Sequence, residues 1–216
     1  MRLPNPPLLI VTDRRQARRG LPEIVGAALN GGCRWISLRE KDLPDAEQVP
    51  LARLLLPLAR RHGARLTLHG EAELAKLAGV DGVHLSSGSD PAEARALLGA
   101  HKLIGVSIHT ATEAEAIDPA TVDYALAGPA FETVSKPGYG PEIGRKGLAE
   151  MARACRVPLL AIGGINTLRV AEVLAAGCAG VAVMGGVMRA ADPGSETGAL
   201  VVTLQGSAAA SRVRGK

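Results

Sequence analysis

The sequence contains few aromatic residues and no long uninterrupted apolar run. Its 216 residues include two Tyr, one Trp and one Phe. Four aromatic rings are too few for a surface that stacks the bases of a single-stranded nucleic acid. The core must instead be built from Ala, Val, Leu and Ile. A membrane-spanning helix needs about 18 consecutive apolar residues, and no such run is present, so no membrane span is expected.

Cysteine is also scarce. Cys33, Cys155 and Cys178 are odd in number, far apart and not arranged as C-x-x-C. This pattern excludes a disulfide scaffold and a cysteine-dominated zinc site. A reducing, cytoplasmic setting is therefore expected. The residues before Leu8 include three prolines and lack the apolar region of a signal peptide.

The chain is moderately basic, with a formal net charge of +4. A basic protein can bind an anionic partner. Here the excess is mostly arginine spread over predicted turns and helices, which is typical of a solvated surface. A small phosphorylated ligand fits this charge as well as a nucleic acid does, and no nucleic-acid partner is expected.

Short apolar runs alternate with longer amphipathic segments along the whole chain. The helical segments are predicted over residues 21–30, 46–62 and 71–77, with another beginning at Pro91, where proline suits a first helical turn. The apolar runs predict eight strands, at residues 8–12, 35–39, 65–69, 82–85, 103–107, 124–127, 158–162 and 180–184.

Eight strands alternating with helices predict a parallel α/β architecture. The strands lack strict polar alternation, so both faces of the sheet are expected to be covered. An open doubly wound sheet is the competing arrangement. The number of units, and the absence of G-x-G-x-x-G after the first strand, favour a single-domain TIM (β/α)8 barrel over residues 1–205. Residues 206–216 are mostly small and polar, and are expected to form a disordered tail.

In barrels of this type the functional groups lie at the C-terminal ends of the strands. The pairs Gly163-Gly164 and Gly185-Gly186 follow the seventh and eighth predicted strands. Glycine lets backbone N–H groups approach an anion closely, and phosphate sites of these barrels form at this position. The alternative interpretation is that these glycines only permit tight turns.

Three cations are expected on neighbouring parts of the same rim: Arg39, Lys41 and Lys136. They are candidates for binding a second anionic group, with the arginine able to bind in a bidentate manner. For each of them alone, a plain surface charge is the alternative.

The five histidines fall into two groups. His62 and His101 precede strands and are expected on the opposite face of the barrel. His69, His84 and His109 lie at strand ends on the functional face, and His69 is expected to be the most exposed there. A histidine at this mouth can act as a general acid or base near neutral pH. The alternative is a hydrogen-bonding wall residue.

Five local motifs together resemble the thiamine-phosphate synthase and TenI family, from about residue 8 to residue 191. Each motif is weak alone, but their order and spacing are specific. They are Ser37-Leu38-Arg39-Glu40-Lys41, Asp81-Gly82-Val83-His84-Leu85, Gly105-Val106-Ser107-Ile108-His109-Thr110, Phe131-Glu132-Thr133-Val134-Ser135-Lys136 and Ala161-Ile162-Gly163-Gly164-Ile165.

The resemblance implies a TIM barrel that acts in thiamine biosynthesis on a small phosphorylated heterocycle, thiazole phosphate or thiamine phosphate, and makes a homodimer plausible. Synthases of the family join a pyrimidine diphosphate to a thiazole phosphate, with Mg²⁺, and release pyrophosphate. By this likeness the diphosphate-binding positions are Arg39, Lys41, Ser107 and Lys136. The positions that meet the thiazole phosphate are Thr133, Ser135, Gly164, Gly185 and Gly186.

The sequence departs from the synthase pattern at the metal. His69-Gly70 stands where synthases have Asn-Asp, and Asp90 is one position away from the second metal carboxylate. Ser37 replaces a glutamine that places the pyrimidine. Mg²⁺ needs oxygen ligands, usually including a carboxylate. The prediction is therefore that no metal or cofactor is bound, unless Glu71 or Asp90 serves as a substitute ligand in a synthase.

Other segments resemble the TenI-like thiazole tautomerase branch, which moves a proton without metal. Leu85-Ser86-Ser87-Gly88-Ser89 and Phe131-Glu132-Thr133 carry this likeness. The histidine of that branch is replaced by Pro129, so the main prediction is a tautomerase with His69 as the base and His109 as the second candidate. The alternatives are a thiamine-phosphate synthase with altered Mg²⁺ ligands and a non-catalytic regulatory protein that binds thiazole or thiamine phosphate.

Overall fold

The computed structural model describes residues 3–86, 88–133 and 141–214, with the side chains of 208–214 left undescribed. Its strands are β1 (Leu8–Val11), β2 (Trp35–Leu38), β3 (Arg65–Gly70), β4 (Gly82–Leu85), β5 (Leu103–Ile108), β6 (Tyr124–Ala127), β7 (Leu159–Ile162) and β8 (Gly180–Val183). They are all parallel and close into a barrel in chain order, with β8 pairing with β1. The predicted α/β TIM barrel is thus confirmed.

The helices cover the outside of the barrel and follow the strands in turn. They are α1 (Leu21–Asn30), α2 (Asp45–Arg61), α3 (Ala72–Ala78), α4 (Pro91–Leu98), α5 (Ala111–Glu115), α6 (Gly144–Ala154), α7 (Thr167–Ala175), α8 (Gly185–Met188) and α9 (Pro193–Arg214). The predicted element boundaries agree to within one residue, and α1 agrees at both ends. Within the described ranges, no helix is both long enough and apolar enough to cross a membrane.

The apolar core forms two layers, as expected for strands covered on both faces. The larger layer lies between the strands and the helices. The smaller layer fills the barrel, where the Trp35 and Tyr124 rings meet edge to face with their centroids 4.6 Å apart. A Cβ atom at Gly105 would overlap the Tyr124 ring. The two largest interior side chains therefore fit because the neighbouring strand carries no side chain at that point.

Two C-terminal features differ from the sequence-based expectations. Residues 206–214 continue the backbone of α9 as a helix, whereas a disordered tail was expected. The reason is local, because this segment contains three consecutive alanines, and alanine has the highest helix propensity. The short helix α8, which begins at Gly185, was also not predicted.

Candidate functional site

A cavity of about 470 Å³ opens at the C-terminal end of the barrel. The cavity is lined by nearly all of the described residues that the sequence predicted for the site. They are Arg39, Lys41, His69, Ser107, His109, Thr133, Gly163, Gly164, Gly185 and Gly186. Glu71 and Asp90 are not among the lining residues, and Ser135 and Lys136 lie outside the described residues. The chain therefore brings together groups from six different strand ends.

The glycines after β7 have a steric reason to be glycine. Gly163 and Gly164 have φ angles of +102° and +66°, in the left-handed region that side chains rarely adopt. A Cβ atom on Gly164 would overlap the backbone carbonyl of Glu132, and one on Gly163 would lie 3.1 Å from Cα of Pro129. The β7 loop thus packs tightly against the β6 loop, and this requirement holds with or without a ligand.

The glycines after β8 form the first turn of α8. N–H groups in the first turn of a helix have no acceptor within that helix. Gly185 is buried, Gly186 is exposed, and both line the cavity. Together with the β7 loop, these glycines line this side of the cavity mainly with backbone atoms.

Cationic side chains line another part of the cavity. The half-buried Arg39 reaches over β1, so that its Nη1 lies 4.0 Å from Sδ of Met184. Partial burial and the neighbouring Arg39 charge lower the pKa of Lys41 below its ordinary value. Two positive charges are therefore close enough to repel one another, which favours the binding of an anion between them.

Glu40, between these two cations in sequence, points away from the cavity. Its side chain is fully buried, with Oε1 accepting a 2.6 Å hydrogen bond from the Thr12 hydroxyl and Oε2 a 2.9 Å bond from the Arg14 backbone N–H. Thr12 Oγ1 in turn accepts a 2.9 Å bond from the Arg39 backbone N–H. Burial raises the pKa of Glu40, although the Thr12 and Arg14 hydrogen bonds oppose this. Sequence analysis missed this role, because nothing in the pattern showed which way the carboxylate points.

The three histidines at strand ends have different environments. His69 is half-buried, and His109 is exposed, so the expectation that His69 is the more exposed is wrong. The Nδ1 atom of His109 lies 2.5 Å from the carbonyl oxygen of Gly128. A carbonyl can only accept, so this nitrogen carries the proton. His84 was expected at the functional face, but it is fully buried inside the barrel and does not line the cavity.

His84 lies directly under the cavity and connects to it. Its ring stacks on that of His69, with centroids 4.8 Å apart and planes at 28°. Its Nε2 lies 2.9 Å from Oγ of Ser107, which is exposed to the cavity. Its Nδ1 lies 3.3 Å from the Tyr124 hydroxyl. The sequence signalled neither this stacking nor these hydrogen bonds.

The carboxylates predicted as substitute Mg²⁺ ligands, Glu71 and Asp90, do not line this cavity, whereas Glu132 does. In residues 3–86, 88–133 and 141–214, no three His, Cys, Asp or Glu residues come close enough to hold a metal, and the remaining positions contain none of these residue types. Asp90 caps α4 by accepting from the Ala92 backbone N–H at 2.7 Å. Glu71 lies 3.4 Å from Oγ of Ser89. Neither acidic substitute lines the cavity, so no step proposed below passes through a metal ion.

Comparison with known proteins identifies the family. The family model described as thiamine monophosphate synthase matches residues 8–187. The chain belongs to this family. Membership was predicted from the five motifs, and the match extends over the whole barrel from β1 to α8. The protein is thus a member of a family of thiamine biosynthesis.

Curated relatives and solved structures agree with this assignment. The chain is 43% identical to a thiamine-phosphate synthase of Roseiflexus sp. (strain RS-1) over 88% of this chain and 82% of that protein. It is 42% identical to a putative thiamine-phosphate synthase of Geobacter sulfurreducens, over 91% and 93% of the two chains. The structure of thiamine phosphate pyrophosphorylase from Pyrococcus furiosus superposes with a TM-score of 0.82 at 30% identity, covering 93% of this chain and 96% of that chain. None of these names is that of a tautomerase.

Proposed function

We propose that this protein is a thiamine-phosphate synthase, which was the alternative rather than the main prediction from the sequence. The observation that carries the proposal is that one cavity contains two sets of anion-binding groups from different strand ends. The cationic side contains Arg39, Lys41 and Ser107, and the other side contains the glycine loops after β7 and β8. Around this closed barrel β7 lies three strands from β2, whose end carries Arg39 and Lys41. The names of the relatives support the same activity.

The two sides suit the two substrates of such an enzyme. A diphosphate needs several strong donors, which Arg39, Lys41 and Ser107 provide. A monophosphate is held well by backbone N–H groups at a glycine turn. We therefore assign the pyrimidine diphosphate to the cationic side and the thiazole phosphate to the glycine side.

The chemistry then places the developing charge on the cationic side. The bond between the pyrimidine-bearing carbon and the diphosphate oxygen breaks, and its electron pair leaves with pyrophosphate. The thiazole ring nitrogen forms a new bond to that carbon. Arg39 and Lys41 are positioned to stabilise the departing anion, because preorganised positive charge is most effective where negative charge develops. Arg39 can bind two phosphate oxygens at once.

The test is to incubate the protein with both substrates, in Mg²⁺ and in EDTA, and to measure pyrophosphate and thiamine phosphate. Formation of both products in equal amounts supports the proposal. Arg39→Ala should lower the rate by about tenfold or more, since one charge-assisted contact contributes about 1.5–3 kcal/mol. Arg61→Ala, at the exposed end of α2, is the matched control and should be unchanged. No product under either condition would contradict the proposal.

A thiazole tautomerase is the second candidate. The observation that favours it is that two histidines, His69 and His109, line the same cavity as the glycine loops. A proton shift needs a general base and no metal. His69→Asn should abolish proton exchange on the thiazole carboxylate substrate, and full retention of exchange would refute the assignment of His69. Binding of thiazole phosphate without either activity would support the non-catalytic alternative.

A further inference from the structure

Three polar side chains form a hydrogen-bonded series that begins in the barrel interior and ends at the cavity. The Tyr124 hydroxyl lies 3.3 Å from Nδ1 of His84, and Nε2 of His84 lies 2.9 Å from Oγ of Ser107. Tyr124 and His84 are fully buried and do not line the cavity, whereas Ser107 is exposed to it. This hydrogen-bonded series thus connects the interior of the barrel to a residue that can contact a ligand.

The protonation states of the two buried groups follow from their burial. Burial, together with the charges of Arg39 and Lys41, lowers the pKa of His84 to about 3. Burial likewise raises the pKa of Tyr124 above its ordinary value, so the phenol keeps its proton. His84 is therefore neutral at physiological pH, with one ring nitrogen donating and the other accepting.

The position of that single proton decides what Ser107 can do. If Nδ1 carries it, His84 donates to Tyr124 and accepts from Ser107, whose proton then points away from the cavity. If Nε2 carries it, Tyr124 donates to His84 and His84 donates to Ser107. The Ser107 proton is then left for the ligand. Phosphate oxygens need donors, so only the second arrangement lets Ser107 donate to an anion.

The surroundings of Tyr124 favour the second arrangement. The Thr67 hydroxyl donates to the backbone carbonyl of Ile36 at 3.3 Å, so its proton is not directed at Tyr124. A phenol is a strong hydrogen-bond donor and a neutral imidazole nitrogen is a strong acceptor, so the Tyr124 hydroxyl donates to Nδ1 of His84. Hydrogen bonds that run in one direction strengthen one another. The ring can reach His84 because Gly105, on the adjacent strand, leaves the space that a side chain would occupy.

We propose that Tyr124 and His84 are positioning residues that hold the Ser107 hydroxyl as a hydrogen-bond donor to the anionic group on the cationic side of the cavity. This inference rests on the proposed function only for the identity of that anion. Pyrophosphate, in EDTA, serves as the probe, so binding is measured without turnover. A protein that binds pyrophosphate but makes no thiamine phosphate would contradict the synthase and leave this inference standing.

The first measurement is the tautomer of His84 in the wild-type protein, by ¹⁵N NMR of the imidazole nitrogens, with the signal assigned by its loss in His84→Gln. The expected result with pyrophosphate bound is a proton on Nε2. A proton on Nδ1 in the bound state would overturn the proposal. So would failure of the wild-type protein to bind pyrophosphate.

The second measurement is a double-mutant cycle on pyrophosphate affinity. Tyr124→Phe removes one hydroxyl that does not line the cavity, and it should raise the Kd by about threefold to tenfold, the range of one net hydrogen bond. In a Ser107→Ala background, the same change should have no effect, because no hydroxyl remains to be oriented. Equal weakening in both backgrounds would mean that Tyr124 acts only by packing. The tautomer itself is measured on the wild-type protein, and a variant is used only to assign the signal.

Discussion

The α-carbon of Gly164 packs against the backbone carbonyl of Glu132 so closely that no Cβ atom fits between them. Gly164→Ala should therefore push the β7 and β6 loops apart. We expect the free energy of unfolding to fall by about 2 kcal/mol or more, since overpacking and a strained φ angle add together. Binding of thiazole phosphate should weaken in the same variant. Urea denaturation and ligand titration measure the two effects.

Gly63 provides the matched control for this substitution. Its φ angle of +62° is close to the +66° of Gly164, but nothing lies within 4 Å of a Cβ atom placed there. Gly63→Ala should cost only the backbone strain of about 1 kcal/mol and leave ligand binding unchanged. If the two variants were equally stable, close packing of the β7 loop would not be the reason for Gly164.

Replacing Arg39 by lysine tests whether geometry matters as well as charge. Lysine keeps the charge but loses the planar group that binds two oxygens together. Arg39→Lys is expected to weaken pyrophosphate binding by about tenfold, which corresponds to about 1.4 kcal/mol. Calorimetric titration measures this, with Arg61→Lys on the surface of α2 as the control. Unchanged affinity in Arg39→Lys would show that Arg39 acts as a point charge only.

Thr12 is expected to stabilise the loop that carries Arg39. It donates to Glu40 at 2.6 Å and accepts from the Arg39 backbone N–H at 2.9 Å. Thr12→Val keeps the shape but removes both bonds, leaving a buried carboxylate with one partner fewer. The free energy of unfolding should fall by about 1–3 kcal/mol. Thr112→Val, at an exposed position of α5, should change it little, and an equal loss in both variants would argue against a special role for Thr12.

His84 should make the protein less stable in acid. Its pKa is lowered from 6.5 to about 3, so below pH 6.5 the unfolded chain takes up a proton that the folded chain refuses. The contribution of His84 to the free energy of unfolding is therefore complete above pH 6.5 and is lost as the pH falls towards 3. The limiting slope of this loss is about 1.4 kcal/mol per pH unit.

Denaturant unfolding at a series of pH values measures this slope. His84→Gln, which cannot take up a proton, should flatten the acid side of the profile. His101→Gln, on the exposed opposite end of the barrel, should leave the profile unchanged. A His84→Gln profile that matches the wild type would place the acid sensitivity elsewhere.

Much of the site was predictable because a parallel barrel collects its strand ends in one place. Arg39, His69 and Ser107 belong to the C-terminal ends of different strands, and a closed parallel barrel brings these ends to one mouth. Side-chain direction was less predictable. Glu40 and His84 each belong to a family motif, but burial turns Glu40 towards Thr12 and places His84 beneath Ser107. Those directions depend on neighbours from other strands, which the local pattern does not contain.

The amino-acid sequence by itself determined the barrel, its family and ten of the residues that line the cavity. Apolar runs set the strands, and the order and spacing of five motifs set the family. Only the tertiary structure decided which carboxylates are directed away from the cavity and how the buried histidine connects to it. Asp90 caps a helix, Glu40 is buried against Thr12, and His84 bridges Tyr124 and Ser107. Hydrogen bonds between residues far apart in sequence need the folded barrel to bring their atoms within 3 Å or so of each other.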